Sequence, residues 1–230
     1  MVQDLDICVM AVPERMKHVK EYLVPRLGKL SENVLVFIDK ERKGAWWNCK
    51  RIYTYNVGKG RPKLVIQDDV LLRDDFDIHV AELVKHLCQD VQAISLFTPP
   101  RGSFSSAYKE DYNALLSWKL VWPPMMLVTD YWCKGVVQNS RFMNDKEGNS
   151  THDDTKMHYY AHASGNAPLI VCVSLAQHDT SVASAQGNPN KLGALERKSA
   201  TFHTDIPSNY YKVLNVKEEG NRHSTPPYSR

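Results

Sequence analysis

The sequence lacks both of the glycine-rich motifs that hold phosphates in the most widespread nucleotide-binding folds. Its first apolar segment, Ile7–Val12, is followed by Pro13-Glu14-Arg15, not by a Gly-x-Gly-x-x-Gly turn or a glycine-rich loop that ends in lysine. Those glycines are needed because the backbone must approach the phosphates closely and turn into a helix. The pattern therefore supports neither a dinucleotide-binding domain nor a P-loop nucleotidase.

Paired cysteines and long apolar runs are also missing. The five cysteines are isolated and odd in number, which fits neither a disulfide framework nor a zinc site and predicts reduced thiols, most of them in the core. They are Cys8, Cys49, Cys88, Cys133 and Cys172. No apolar segment approaches the length of a bilayer span, and Asp4 and Asp6 do not fit a secretory leader. We therefore expect a cytoplasmic protein.

Charge of either sign is not in strong excess. The net charge of +3 permits contact with phosphates or nucleic acid without requiring it. A length of 230 residues with 43% hydrophobic residues suffices for one α/β domain with a substantial core or for two small domains. No internal repeat or linker divides the chain. We expect one domain over residues 1–185 and an extension over residues 186–230 that wraps the domain or contacts a partner.

Short apolar runs alternate with helical patterns along most of the chain. A strand at Ile7–Val12, a helix from Pro13 to about Leu30 and a strand at Asn33–Ile38 form an opening β-α-β unit. Pro25 is expected to kink or shorten that helix. The later elements are predicted as a helix from Ala45, a strand at Leu64–Leu72, a helix at Phe76–Leu87, strands at Gln92–Phe97 and Ala114–Val121, a helix containing Thr129–Gln138, a short helix after His152 and a strand at Leu169–Val173. This alternation predicts a single α/β domain with a mixed, mainly parallel central sheet.

The stretch Leu64–Leu72 is the most informative part of the sequence. It is an apolar run, rich in β-branched residues, that is interrupted by Asp68-Asp69. Because an unpaired carboxylate is costly in an apolar core, the two aspartates are expected at the carboxyl end of a buried strand, where open α/β sheets bind ligands. Paired carboxylates there suit a hard divalent cation that carries phosphate oxygens. The alternative is a solvated turn, in which Asp-Asp is common.

Two more polar clusters are expected at sheet ends. Asp153-Asp154 opens a predicted helix, and His178 follows the last apolar strand. Together with Asp68-Asp69 these side chains could bind Mn2+ or Mg2+ and leave positions open for a diphosphate. Asp153 or Asp154 could then act as a general base toward an acceptor hydroxyl. The plainer interpretations are acidic residues in a first helical turn and a structural histidine.

Two further segments could contribute to a ligand site. Of the adjacent Trp46 and Trp47, one is expected in the core and the other over a ligand or a loop, because neighbours in a helix do not share a face. Lys50 and Arg51 are either a solvated edge or phosphate contacts. The polar loop Thr98–Asp111 is long enough to be a mobile lid that donor or acceptor orders.

These features occur in the order found in GT-A glycosyltransferases, which the chain resembles. The order is Asp39 at the end of the second strand, then Asp68-Asp69, then an Asp-Asp that opens a helix, then a terminal histidine. Over residues 5–185 the chain is similar to nucleotide-sugar transferases of phages and bacteria. The segments that carry the likeness are Ala11–Arg15, Trp47-Asn48, Leu64–Val70, Asp75-Phe76, Ser95–Phe97, Trp122–Pro124, Leu169–Val171 and Gln177-His178.

The resemblance implies a GT-A-type, Rossmann-like sheet that binds a nucleoside diphosphate sugar such as UDP-glucose. It implies that Asp69 and His178 hold Mn2+ or Mg2+ on the diphosphate, and that Asp154, or its neighbour Asp153, faces the acceptor. The usual Asp-x-Asp is replaced by Gln67-Asp68-Asp69, so that only Asp69 matches the metal-binding position directly. The residues assigned to nucleotide-sugar binding are Pro13, Arg15, Asp39, Trp47, Arg51, Gln67 and Asp68.

The nature of the acceptor follows from the resemblance alone. Enzymes of phages and kinetoplastids that resemble the chain glucosylate hydroxymethylated pyrimidines in DNA, which implies double-stranded DNA with modified bases as a partner and, for a phage protein, the host cytoplasm as location. Cations that could contact the DNA phosphates are Arg101, Lys109, Lys134, Lys191 and Arg197. The alternatives are a surface-polysaccharide acceptor, a nucleotide-sugar-binding protein without turnover, and a metal-dependent nuclease or phosphotransferase that uses the same carboxylates.

Overall fold

A central sheet of eight strands organises the protein. A computed structural model describes residues 4–99, 107–117, 124–139, 153–179, 198–199 and 201–218. The strand order is β10-β6-β8-β5-β7-β3-β1-β2, and β4 and β9 form a second, two-stranded sheet. The strands are β1 Asp6–Ala11, β2 Val34–Ile38, β3 Lys63–Gln67, β4 Val70–Leu72, β5 Ala93–Ser95, β6 Ala114–Leu116, β7 Met125–Val128, β8 Leu169–Val171, β9 Ala176–His178 and β10 Val216–Glu218.

Both parallel and antiparallel pairs occur in the central sheet. β1 is parallel to β2 and to β3, and the pairs β5–β8 and β6–β10 are parallel as well. β7 runs antiparallel between β3 and β5, and β6 is antiparallel to β8. The prediction of an α/β domain with a mixed, mainly parallel sheet is confirmed.

Helices cover both faces of this sheet. Ile7, Val9 and Ala11 of β1 belong to one core, whereas Cys8 and Met10 belong to a second core on the other face. Burial on both faces explains why the strands are continuous apolar runs. The helices are α1, which consists of the successive turns Pro13–Arg15, Met16–His18, Val19–Leu23 and Val24–Leu27, followed by α2 Ala45–Thr54, α3 Phe76–Val84, α4 Asp130–Asn139 and α5 Asp153–Ser164. In the part of the chain that the structure describes, no helix has the length and hydropathy to cross a membrane.

A change of helix type accommodates the proline in α1. The turn Val19–Leu23 is a π-helix, and the chain returns to α-helix at Val24–Leu27. Pro25 lies in the first turn of this last part, a position at which its missing N–H and fixed φ are tolerated. The helical segment therefore continues to Leu27, past the proline that was expected to kink or shorten it.

Several strands differ from the sequence prediction; β9 and β10, for example, were not predicted as strands. The run Leu64–Leu72 is divided into β3 and β4, because Asp68-Asp69 forms a tight turn between them. β7 is absent from the prediction, since the prolines before it and the helix after it leave an apolar run of only four residues. Of the predicted strand Ala114–Val121, β6 covers the first three residues, and residues 118–121 lie outside the described part of the chain.

The predicted lid Thr98–Asp111 also lies partly outside the described residues, which exclude residues 100–106. Its described end begins with a helical turn over residues 107–109. Ala107 is fully buried in a small core with Leu115, Ile170 and Cys172. This end of the segment is therefore attached to the sheet, and order induced by a ligand remains a prediction for the rest.

Residues 201–218 of the extension pack on the domain. They contribute β10 at the edge of the sheet and the fully buried ring of Tyr211, whose hydroxyl donates to the carbonyl of Val173 at 2.7 Å. Arg73, which follows β4, donates through Nη1 to the carbonyls of Phe202 at 3.0 Å and Thr204 at 2.6 Å. The extension thus contacts the segment that carries the small sheet.

Removing the buried hydroxyl of Tyr211 is expected to destabilise the protein. Tyr211→Phe leaves the carbonyl of Val173 without this donor, a loss of about 1–3 kcal/mol in the free energy of unfolding. Tyr210→Phe is the matched control, because Tyr210 is only half-buried. Removal of its hydroxyl should change the free energy of unfolding by less than about 0.5 kcal/mol. Urea unfolding of both variants measures the difference; equal stabilities would show that the hydroxyl does not fasten the extension.

Candidate active site

The parallel strands β1, β2 and β3 place their carboxyl ends at one edge of the sheet, and polar residues follow each of them. Pro13-Glu14-Arg15 comes after β1, Asp39 after β2 and Asp68-Asp69 after β3. Arg15, Asp39, Asp68 and Asp69 are all more than 90% buried. Burial of four charged side chains at a ligand-binding edge is costly unless each has partners, and the partners show what each side chain can do.

Asp68 is fixed from the loop that follows β1. Its Oδ1 accepts from Nη1 of Arg15 at 2.6 Å, and its Oδ2 accepts from the N–H of Val12 at 2.7 Å. Burial raises the pKa of Asp68, while the guanidinium of Arg15 and the N–H of Val12 oppose this effect. Because both oxygens have close donors, Asp68 connects the first two loops of the site and is badly placed to bind a cation directly.

Asp69 and His178 lie side by side, although they are far apart in the sequence. β4 pairs with β9 so that Val70 is opposite His178, and the N–H of Asp179 donates to the carbonyl of Asp69 at 2.7 Å. Nδ1 of His178 is 3.4 Å from Oδ1 of Asp69. The imidazole is buried and packs edge-on against Phe97, with 5.6 Å between the ring centroids.

The pair brings together a carboxylate and an imidazole, two groups of the kinds that bind divalent cations in proteins. A small divalent cation that is held on a diphosphate typically uses one or two protein ligands and takes its other ligands from phosphates and water. Within the described ranges no cluster of three or more His, Cys, Asp or Glu side chains could hold a metal ion. Binding of Mn2+ or Mg2+ by Asp69 and His178 therefore stays a prediction.

Asp39 holds the loop that follows β2. Its carboxylate accepts from the N–H groups of Lys43 at 3.0 Å and Gly44 at 2.8 Å. Gly44 has φ of 97°, a conformation that favours glycine and that starts α2 at Ala45. Nucleotide contact by Asp39, as the resemblance implied, would have to use the remaining lone pairs of the carboxylate.

The ring of Trp47 lies between two cations next to this loop. Nζ of Lys43 is 5.0 Å and Cζ of Arg51 is 4.6 Å from the ring centroid. Arg51 is further fixed by hydrogen bonds from its Nη1 to the carbonyl of Ile38 at 3.1 Å and to Oδ1 of Asn48 at 3.2 Å. Trp47 and Arg51 thus form one half-buried unit at the carboxyl end of β2, while Trp46 packs on the core.

Asp153 and Asp154 begin α5 but have different surroundings. Asp153 is 7% exposed and lines a small cavity together with Gln67, the last residue of β3. Burial, together with the charge of Asp154, raises the pKa of Asp153 to about 7. Asp154 is half-buried, and its Oδ1 accepts the N–H of Thr155 at 2.8 Å. The start of α5 therefore lies next to the end of β3, the strand that precedes the paired aspartates.

A small cavity lies beneath this junction. Its volume open to the centre of a water molecule is ≈ 10 Å³, which is about the space for one water. The polar side chains that line it are the carboxyl of Asp153, the amide of Gln67 and the hydroxyl of Tyr53. The lining consists of Met10, Cys49, Tyr53, Val65, Gln67, Pro124, Met126, Asp153 and Met157. Asp153 therefore faces the packed interior, whereas an acceptor would have to approach from outside.

The other predicted residues are less connected to the paired aspartates. Pro13 is exposed in the first turn of α1. Of the cations proposed for DNA, Lys109 and Lys134 are exposed on separate elements, and Arg101, Lys191 and Arg197 lie outside the described residues. Asn48, which the sequence analysis named only as part of the segment Trp47-Asn48, is buried, and its Nδ2 donates to the carbonyl of Phe37 at 2.7 Å.

Comparisons with known proteins give limited information. No family model and no curated protein matches the chain. A protein assigned as a glucose-1-phosphate thymidylyltransferase, from Bacillus anthracis in complex with sucrose, is similar in structure at 10% identity and a TM-score of 0.44, over 93% of this chain and 100% of that one. A glycosyltransferase involved in glycosylation of the major capsid of PBCV-1 is similar at 8% identity and a TM-score of 0.39, over 72% of this chain and 93% of that one. Both TM-scores are below 0.5, so neither likeness by itself assigns a fold or a function to the chain.

Proposed function

We propose that the protein is a metal-dependent glycosyltransferase that moves a sugar from a nucleoside diphosphate sugar to an acceptor hydroxyl. The observation that carries the proposal is the meeting of Asp69 with His178, next to Arg15 and Asp68, at the carboxyl end of the central strand. A diphosphate carries several negative charges. A metal ion on Asp69 and His178, together with the guanidinium of Arg15, would place two positive groups beside it. The sequence resemblance to GT-A enzymes is the reason for proposing that the transferred group is a sugar.

The roles follow from the surroundings of each side chain. Asp69 and His178 would hold Mn2+ or Mg2+, which neutralises charge on the leaving diphosphate when it is bound. Asp154 would accept the proton of the acceptor hydroxyl. The oxygen of that hydroxyl would form a bond to the anomeric carbon of the sugar, and the bond between this carbon and the diphosphate would break. Asp154 suits this role better than Asp153, because Asp153 is buried beside a cavity in the interior whereas Asp154 is half-buried.

Metal-dependent stabilisation by a nucleotide sugar is the first test. A ligand that binds only the folded state at 100 times its Kd raises the free energy of unfolding by about 2.7 kcal/mol. Thermal unfolding should therefore shift upward with UDP-glucose or another nucleoside diphosphate sugar, and more so with Mn2+ than with EDTA. A chain that cleaves phosphodiesters and shows no such shift would be a nuclease or phosphotransferase; binding without any transfer would leave a non-catalytic module.

Removal of the Asp69 charge is expected to abolish the metal-dependent part of binding. Asp69→Asn keeps the size of the side chain but loses the anionic ligand, so calorimetry should show that Mn2+ no longer tightens binding of UDP. Asp74→Asn is the matched control, since this carboxylate follows β4, is fully exposed and forms a salt bridge with Arg26. Unchanged Mn2+ dependence in Asp69→Asn would remove Asp69 from the metal site.

The acceptor is tested separately from the donor. We propose hydroxymethylated pyrimidines in DNA as the acceptor, on the sequence resemblance, with a surface polysaccharide as the competing class. Incubation with UDP-glucose, Mn2+ and DNA that contains hydroxymethyluracil or hydroxymethylcytosine should add one hexose to the modified nucleoside, as measured by mass spectrometry of the digest. Hydrolysis of UDP-glucose without hexose on either base would keep the transferase and exclude this acceptor.

A further inference from the structure

The two edge strands of the central sheet differ in how they are protected. β10 ends the sheet on one side with three residues, two of them charged, whereas β2 ends it on the other side with the five apolar residues Val-Leu-Val-Phe-Ile. Short length, charged side chains and proline are common means by which an edge strand is kept from pairing with another chain. β2 is of ordinary length and contains neither charge nor proline, so its edge is not protected in any of these ways.

The outer edge of β2 is open to solvent. All five of its residues are partly exposed, whereas all six residues of the neighbouring β1 are buried. In the part of the chain that the structure describes, β2 pairs with β1 alone. Its side chains nevertheless pack alternately on the two cores of the domain. The exposure therefore belongs to the edge of the strand and not to a solvated face.

The backbone groups that point outward can be identified from the hydrogen bonds at the two ends of β2. The carbonyl of Asn33 and the N–H of Asp39 bond to β1, and alternate residues of a strand direct their N–H and C=O groups to opposite sides. The residues that point away from β1 are therefore Val34, Val36 and Ile38. The carbonyl of Ile38 accepts from Nη1 of Arg51 at 3.1 Å and has a second lone pair for another donor.

We propose that the protein forms a symmetric dimer in which β2 pairs antiparallel with β2 of a second copy. A two-fold axis is the commonest symmetry of like subunits and places the same patch on both sides of the interface. With Val36 opposite its own copy on the axis, Val34 lies opposite Ile38. The outward residues of both strands then face each other and exchange hydrogen bonds, as in an antiparallel ladder.

The charges that flank β2 favour this pairing. Glu32 and Lys40 are each four residues from Val36, so antiparallel pairing brings Glu32 of one copy near Lys40 of the other at both ends of the interface. Both residues are exposed. The charges that follow, Glu41 and Arg42, already have partners within the same copy. A parallel pairing would bring like charges together, which is unfavourable between neighbouring strands.

The dimer leaves both candidate active sites accessible. The site lies at the carboxyl ends of β1, β2 and β3, and antiparallel strands point in opposite directions. The two sites would therefore lie at opposite ends of the joined sheets. The inference goes beyond the proposed function and does not depend on it, because dimerisation is measured without any ligand.

Sedimentation velocity of the full chain over a range of concentrations tests for the dimer. We expect a species of twice the 26.3 kDa of one chain, in reversible equilibrium with the monomer. A chain that stays monomeric at every concentration would overturn the inference and leave the edge of β2 to a segment of another protein or to solvent.

Charge exchange tests the register. Glu32→Lys places two lysines opposite each other at both ends of the interface, and Lys40→Glu places two glutamates there. Each variant should raise the Kd of the dimer by about tenfold or more at low salt, because two attractive contacts become repulsive. An equal mixture of the two variants should form a heterodimer with the wild-type Kd, since opposite charges meet again at both ends. The double variant Glu32→Lys/Lys40→Glu should recover the wild-type Kd by itself.

Two further variants control this comparison. Lys59→Glu reverses an exposed charge in the turn after α2 and should leave the Kd of the dimer unchanged. Val36→Pro removes the outward N–H on the axis, a change that an edge strand can accommodate, and should prevent dimerisation. Circular dichroism and the thermal midpoint establish that each variant is folded, and the charge variants decide the question if Val36→Pro is not. A dimer that persists in both single charge reversals, or a mixture that forms no heterodimer, would overturn the pairing through β2.

Discussion

Replacing Asp154 by Asn is expected to slow sugar transfer by about 10²–10⁴-fold, the usual contribution of a general base. Asn has the same size but cannot take the proton of the acceptor hydroxyl. Asp154 is half-buried in the first turn of α5, and its Oδ1 accepts the N–H of Thr155. Binding of the nucleotide sugar should therefore survive, and the loss should appear in kcat.

The measurement is transfer to whichever acceptor the mass-spectrometric test identifies, with UDP binding followed by calorimetry. Asp77→Asn is the matched control, because Asp77 is also a half-buried carboxylate in the first turn of a helix, but in α3. It should leave kcat within a factor of about two. A large loss of kcat in Asp153→Asn, with Asp154→Asn nearly normal, would exchange the roles of the two aspartates.

The position of the site could be predicted from the sequence because charge and apolar pattern constrain it. Asp68 and Asp69 interrupt an apolar run, and a buried strand cannot contain two free carboxylates. The pair was therefore expected at a strand end, and the turn between β3 and β4 lies there. Asp39 was expected at the end of β2 by the same reasoning, and its carboxylate accepts N–H groups of the next loop.

The neighbours of these residues could not be predicted in the same way. The contact of His178 with Asp69 depends on the pairing of β4 with β9, two three-residue strands that are distant in the chain. Such short strands carry no periodicity of their own. The ion pair of Arg15 with Asp68 depends on the first turn of α1 and on β3 together. Both contacts are products of the assembled sheet.

The difference between Asp153 and Asp154 was available in the sequence but was not used. Asp153 has the same helical phase as Met157 and Tyr160, four and seven residues later, and all three are buried. Asp154 lies one residue out of that phase and is half-buried. A pattern of apolar residues at these spacings predicts which of two adjacent carboxylates faces the core.

Replacing the buried Asp153 by Asn is expected to remove a pH dependence of stability. The pKa of this carboxyl is raised from 3.8 to about 7 in the folded protein, mainly by burial, so the folded state binds a proton that the unfolded state has lost between those pH values. Stability from this group is fully present below about pH 4 and is lost as the pH rises through about 7. Over that interval the loss amounts to about 4 kcal/mol at most, since one pKa unit corresponds to about 1.4 kcal/mol.

Asn is uncharged at every pH and has nearly the same size as Asp. The free energy of unfolding of Asp153→Asn should therefore equal that of the wild type near pH 4, exceed it increasingly up to about pH 7 and exceed it by a constant amount above that. Other groups that titrate in this range, among them the buried His79 whose pKa is lowered by burial, contribute equally to both proteins and cancel in the difference. Urea unfolding at intervals between pH 4 and pH 8 measures this difference, with Asp77→Asn as the control that should follow the wild type. A difference that stays constant with pH would mean that the carboxyl of Asp153 ionises in the folded protein as it does in the unfolded chain, and that its place beside Gln67 is open to water.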